Sequence, residues 1–147
     1  MVDGRGGQLE PVAFATRRLN ASSMAGRLEA LFEEVSQWVE TYGPDGAAME
    51  EVFVARNART ALVLGQARGV ALLALARAGL DVTGYPPARI KKAVGSHGRA
   101  RKEEMRRMVR LQLRLTEDPS EDAADALAIA MTHLVMSWSP EAVEPAW

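Results

Sequence analysis

The chain has 147 residues, 48% of them hydrophobic and 25% charged, which bounds it to one globular domain with a real core. It contains no cysteine, which excludes a disulfide framework, a thiolate metal site and a cysteine nucleophile. Net charge is only −1, yet Pro86 to Arg114 gathers ten Lys/Arg against Glu103 and Glu104, a +8 segment on a chain that is −9 elsewhere. Such a directed field suits a polyanion, although a solvated helix face gives the same pattern.

In chain order, MVDGRGGQLEP has no apolar run behind a basic start and does not read as a signal peptide. Leu9 to Leu19 alternates Val12, Phe14 and Thr16, which predicts a strand. Ser22/Ser23 are good caps for a helix whose apolar positions (Met24, Leu28, Leu31, Phe32, Val35, Trp38, Val39) keep a 3.6 period. It stops at Tyr42-Gly43-Pro44. Gly46 to Val52 reads as a short buried strand. A long helix over Ala58–Ala78 is apolar nearly all round, so it must be covered on more than one side. Its Gly65 and Gly69 let another backbone approach, either the sheet or a second copy. The most apolar stretch, Val70 to Leu80, is broken by Arg77 and too short to span a bilayer, so the expectation is a soluble cytoplasmic protein with no membrane partner. Asp81–Tyr85 predicts another strand, and Pro86-Pro87 opens a short helix through Val94. An amphipathic helix over Lys102–Leu115 should hold Met105, Met108, Val109, Leu111, Leu113 and Leu115 inside, with Lys102, Arg106 and Arg110 along its outer face. Ser120 caps a last helix, Glu121–Ser137. Residues 138–147 read as a disordered tail. Strands alternating with helices predict an α/β protein, one domain over residues 1–137.

Three acids stand where acids are costly. Glu50 ends the apolar run from Gly46, and Asp122 and Asp125 flank Ala123-Ala124 at i and i+3 on one helix face. A buried strand acid facing two helix acids suits a hard divalent cation such as Mg²⁺ or Mn²⁺. Each has a plainer reading: Asp122 favours a helix N-terminus, Asp125 pairs with a nearby base, and Glu50 sits at a surface strand end. His97 reads as a loop histidine and His133 as structural. Asp3, among glycines, reads as a turn former.

Three blocks carry a family resemblance. Ala48–Leu73 (AMEEVFVARNARTALVLGQARGVALL), PPARIKKAVGSHGRARKEEMRRMV and EDAADALAIAMTHL follow one another as in the RuvC-type Holliday junction resolvases, and the resemblance covers roughly Leu9 to Ser137. It implies a ribonuclease H-like fold, a mixed five-stranded sheet flanked by helices, acting as a homodimer. It matches Glu50 to the second catalytic and metal-binding acid, Asp122 and Asp125 to the third and fourth, Lys91 and Lys102 to lysines near the scissile phosphate, and Phe53 to the aromatic at the crossover. Arg56, Asn57, Arg89, Lys92, Arg99, Arg101 and Arg106 would contact DNA. The implied reaction is phosphodiester hydrolysis with two Mg²⁺ (or Mn²⁺) per site, on four-way junctions, with a branch-migration helicase complex as a further partner. The family opens with a strand bearing GIDPG, whose aspartate is the first acid. That motif is absent, and MVDGRGGQLEP resembles the hairpin after the family's second strand. The expectations are that N-terminal strands are missing and that these 147 residues alone do not cleave. The alternatives are a non-catalytic junction-binding protein or a gene fragment.

Overall fold

Two glycines turn the N-terminus back on itself. The structure, a computed structural model, describes residues 1–51, 57–95 and 99–138. Gly6 (φ 73°) and Gly7 (φ 74°) take up the left-handed region that costs glycine nothing. They let β1 (Val2–Asp3) pair antiparallel with β2 (Glu10–Pro11), Val2 opposite Pro11. Asp3 is the turn former expected: its carboxylate accepts from the Arg5 backbone N–H at 3.0 Å and from Arg5 Nε at 2.7 Å. The strand expected over Leu9–Leu19 is much shorter. Bonds from Val12 and Ala13 to the Met1 carbonyl extend the pairing to Ala13, and residues 14–21 have no regular structure. Alternation sets the faces of a strand, but a strand exists only where a ladder partner does.

The chain divides into two units, each built from separate stretches. One comprises Arg17–Ala47 and Val52–Val82. Here α1 (Met24–Tyr42) begins at Ser23, whose hydroxyl accepts from the Gly26 N–H at 3.1 Å. It ends at Gly43 (φ 53°), whose N–H returns to the Val39 carbonyl at 2.9 Å. Glu34 on α1 accepts from Trp38 Nε1 (3.0 Å) and Arg17 Nε (3.1 Å), and Trp38 leans on Tyr42 with ring centroids 5.1 Å apart. Against α1 lies α2 (Ala58–Arg77), capped by Asn57, whose Oδ1 accepts from the Thr60 N–H at 2.8 Å.

Among the described residues, the cover expected for α2 is not found. Ala74 is its one buried residue, while Leu62, Leu64 and Leu73 are 63%, 46% and 54% exposed. A Cβ added at Gly65 or Gly69 would meet nothing, so neither glycine serves a close approach here. By length and composition alone α2 could cross a membrane, having an 18-residue stretch of mean hydropathy 1.2. Arg68 in its middle makes that costly.

The other unit comprises Met1–Thr16, Ala48–Glu51 and Thr83–Trp147. The strand β3 (Ala47–Glu50) pairs with β4 (Val82–Tyr85). Ala47 N–H bonds to the Asp81 carbonyl and Glu51 N–H to the Tyr85 carbonyl; both strands advance together, so the pair is parallel, as a helix crossover requires. All of β4 is buried, whereas β3, expected to be buried, is half-buried and ends in an exposed Glu50. Then follow α3 (Pro87–Gly95), α4 (Lys102–Gln112) and α5 (Glu121–Ser137). The core joins Tyr85, Ile90 and Val94 with Met105, Val109 and Leu113 and with Leu127, Ala128 and Met131. Gly95 makes room for the approach to α4: a Cβ there would lie 2.7 Å from that of Ala100 and 3.0 Å from Met105 Sδ on α4. Leu111, expected inside, is 55% exposed, because it lies on the face of α4 opposite the buried Met105 and Val109. Among the described residues the strands form two two-stranded pairs, short of the five-stranded sheet that the resemblance implied.

Candidate active site

The acids singled out in the sequence lie on two elements that the core of this unit brings together. Glu50 is the last residue of β3. The start of α5 is fixed by Ser120, whose hydroxyl accepts from the Ala123 N–H at 3.3 Å. That register buries Ala123, Ala124, Leu127 and Ala128 and leaves Asp122 and Asp125 outward. All three acids are exposed residues, not the buried carboxylates the sequence suggested. Asp122 also sits in the first turn of α5, where a helix favours negative charge.

Partial burial and nearby negative charge nevertheless mark two of them. Burial pushes the Glu50 carboxyl above its ordinary value, and the charge of Asp125 pushes it further, against the pull of Lys91. Burial likewise raises Asp125; Lys102 opposes the rise, while Glu121 and Asp122 add to it. A like charge raises a carboxyl's pKa only from within electrostatic reach. Glu50 and Asp125, 75 residues apart in the sequence, therefore share one neighbourhood.

The lysines flank this pair. Lys91, half-buried on α3, acts on Glu50. Lys102, the first residue of α4, is ion-paired with Glu121. Its pKa is raised first by that hydrogen bond, then by the charge of Glu121, with Asp125 and Asp122 adding to the rise. Among the described residues no three acidic, histidine or cysteine side chains converge on a ready metal cage. Mg²⁺ does not need one: it keeps several waters and is held by one or two carboxylates together with substrate phosphate. Two neighbouring carboxylates whose pKas burial and nearby negative charge raise fit that cation, whose charge would offset the cost of ionising them.

The remaining site residues are spread out. Arg89 is half-buried and lowers the pKa of Tyr85, which burial raises more. Lys92, Arg99 and Arg101 are exposed. Arg106 Nη2 and Arg110 Nη1 each reach Asp118, at 3.1 Å. The Asn57 side chain is engaged in capping α2. Phe53, Arg56, His97 and residues 139–147 lie outside the described residues.

Sequence reasoning missed two features. The acids after α4 turn back onto its basic face, Asp118 to Arg106 and Arg110, and Glu121 to Lys102. The signal was available: a stripe at i, i+4, i+8 followed at once by Glu117, Asp118 and Glu121. The second is a bond between the hydroxyl of the buried Tyr85 and His133 Nδ1 at 3.1 Å. Burial holds the His133 pKa below its usual value and the Tyr85 pKa above, so a protonated hydroxyl meets a neutral imidazole, whose tautomer sets which of the two donates. This gives substance to the structural reading of His133.

Comparison with known proteins places the chain. The family model described as crossover junction endodeoxyribonuclease RuvC matches residues 1–133. A crossover junction endodeoxyribonuclease RuvC of Hahella chejuensis is 46% identical over 134 residues, covering 91% of this chain and 78% of its own. That of Halorhodospira halophila is 48% identical over 132 residues, covering 89% and 78%. The Thermus thermophilus RuvC structure superposes with a TM-score of 0.85 at 32% identity, over 99% of this chain and 89% of that one. The same organism's protein in complex with Holliday junction substrate gives 0.83 at 29% identity, over 98% and 88%. The fold is accordingly ribonuclease H-like. With sequence match, relatives and fold in agreement, the chain belongs to the RuvC family of crossover junction endodeoxyribonucleases.

Proposed function

We propose that this chain is a Holliday junction resolvase, an endonuclease that cuts four-way DNA junctions in recombination and repair. The observation that supports it most is that Glu50 and Asp125 lie within electrostatic reach of each other, both with pKas raised chiefly by burial, together with family membership. Glu50 and Asp125, with Asp122 one turn earlier on α5, would hold Mg²⁺ or Mn²⁺, two ions per site by the resemblance. A bound divalent cation supplies an activated water and draws charge from the leaving oxygen. Lys91, beside Glu50, offsets charge building on the phosphate. Lys102 does the same once it exchanges Glu121 for phosphate. Arg89, Lys92, Arg99, Arg101 and Arg106, with Arg56 and Asn57, hold the DNA backbone, and Phe53 wedges at the crossover. Residues 1–137 act as one nuclease domain.

The bare face of α2 finds its cover in a second copy of the chain. Leu62, Leu64 and Leu73, with Gly65 and Gly69 between, give an apolar surface that admits close backbone approach. A twofold dimer presents two sites to the two strands of a junction. The setting is the cytoplasm, and a branch-migration helicase complex is the further partner.

The 147 residues contain no GIDPG segment, so the test uses them both alone and joined to a strand that bears one. The joined protein should cut a labelled junction in Mg²⁺, and Glu50→Gln or Asp125→Asn should abolish cutting while leaving binding in place. Cutting that survives both substitutions would refute the assignment. Junction binding without cutting by either form would instead indicate a recognition protein.

A further inference from the structure

Asp118 holds two arginines of α4 at once. Arg110 Nη1 meets its Oδ1 and Arg106 Nη2 its Oδ2, each at 3.1 Å. One turn separates the two arginines, so they lie on one face of the helix. A carboxylate with one guanidinium on each oxygen presents the arrangement that a phosphodiester offers with its two non-bridging oxygens. We propose that this outer face of α4 is a seat for the phosphate backbone of a duplex arm of the junction, and that Asp118 is the stand-in that occupies the seat until DNA displaces it. The proposal rests on the junction-binding function given above.

These ion pairs are not needed for the fold. The side chains of Arg106, Arg110 and Asp118 are 44%, 45% and 43% exposed, and exposed pairs contribute at most about 1 kcal/mol. The packing of α4 on α5 comes from Met105, Val109 and Leu113 against Leu127, Ala128 and Met131. What Asp118 does supply is order: it holds two long side chains in a geometry ready for phosphate, so less freedom is lost on binding. The hydrogen bonds from Arg106 and then Arg110 hold the Asp118 carboxyl below its ordinary range. It therefore stays charged and remains a competitor at every physiological pH.

The surroundings specify the occupant. Arg106, Arg107, Arg110 and Asp118 line a depression with Glu103 and Leu111. Three guanidiniums there face two carboxylates, and displacing Asp118 doubles the net positive charge. None of these residues is aromatic, so the depression has no platform on which an unpaired base could stack. A duplex backbone needs only the charges.

The test measures junction binding against salt by gel shift, using the 147-residue chain. Asp118→Asn should tighten binding about three- to tenfold at low salt, the gain expected from freeing two exposed arginines. It should steepen the salt dependence by up to about one unit, because the displaced carboxylate no longer gathers cations of its own. Glu117→Gln, which removes an equal charge from the same connection, controls for overall charge and should gain less. In an Arg106→Gln/Arg110→Gln background, Asp118→Asn should gain nothing. Thermal melts verify that each variant is folded. If Glu117→Gln matches Asp118→Asn, or if Asp118→Asn gains as much without the arginines, the seat is refuted while the function stands. If no form binds a junction, the function itself fails, and the seat with it.

Discussion

Glu50 and Asp125 carry their charges under protest, and that gives a stability signature independent of DNA. A carboxyl whose pKa is higher in the folded than in the unfolded chain binds protons more readily when folded. Its charge then weakens the fold at neutral pH, and the penalty is relieved as pH falls through the folded value toward the ordinary carboxylate range. Asp125→Asn and Glu50→Gln should therefore each raise the melting temperature at pH 7, with the gain vanishing below about pH 4. Melts of the metal-free protein across pH 3–8 check this. A loss of stability at pH 7 would mean that the carboxylates are well partnered. His133 works the other way. Its depressed pKa leaves it neutral in the fold, so its contribution is complete above about pH 6.5 and is lost as pH falls below that value. The slope of stability between pH 5 and 7 should be shallower in His133→Gln than in the native chain.

Helix ends were the most legible feature of the sequence. Ser23, Gly43 and Ser120 act where cap chemistry predicted, because capping depends only on a residue's own side chain and the next turn. What depends on distant partners was not legible: the strand expected to Leu19 fails for want of a ladder, whereas Leu111 points out because it lies on the face of α4 opposite Met105 and Val109. The acids were found by their placement and the family pattern, but their exposure was not, since burial depends on packing the sequence does not spell out. Asn57 was assigned to DNA and is found engaged as a helix cap. Asn57→Ala should cost about 1 kcal/mol. Asn57→Asp keeps a good cap and adds a charge, so it separates the roles. Unchanged stability with weakened junction binding places Asn57 beside phosphate, and unchanged binding leaves it a cap alone. In the core, Leu113→Ala or Leu127→Ala should cost about 2–5 kcal/mol, each being almost fully buried.

At the scale of the whole molecule, the proposed dimer would cover the exposed apolar face of α2 and give an assembly with two acid sites. Leu62→Glu/Leu64→Glu should give a monomer by sedimentation, whereas a native chain already monomeric at micromolar concentration would remove the dimer. The account's central claim is that this chain recognises four-way junctions and that its carboxylates cut them. The most direct measurement compares a labelled junction with a linear duplex of the same sequence, incubated in Mg²⁺ with the chain carrying a GIDPG-bearing strand and with its Glu50→Gln form. The account predicts preferential binding of the junction by both, and paired cuts near the crossover by the first alone. Equal affinity for the linear duplex, or cuts that persist in Glu50→Gln, would contradict it.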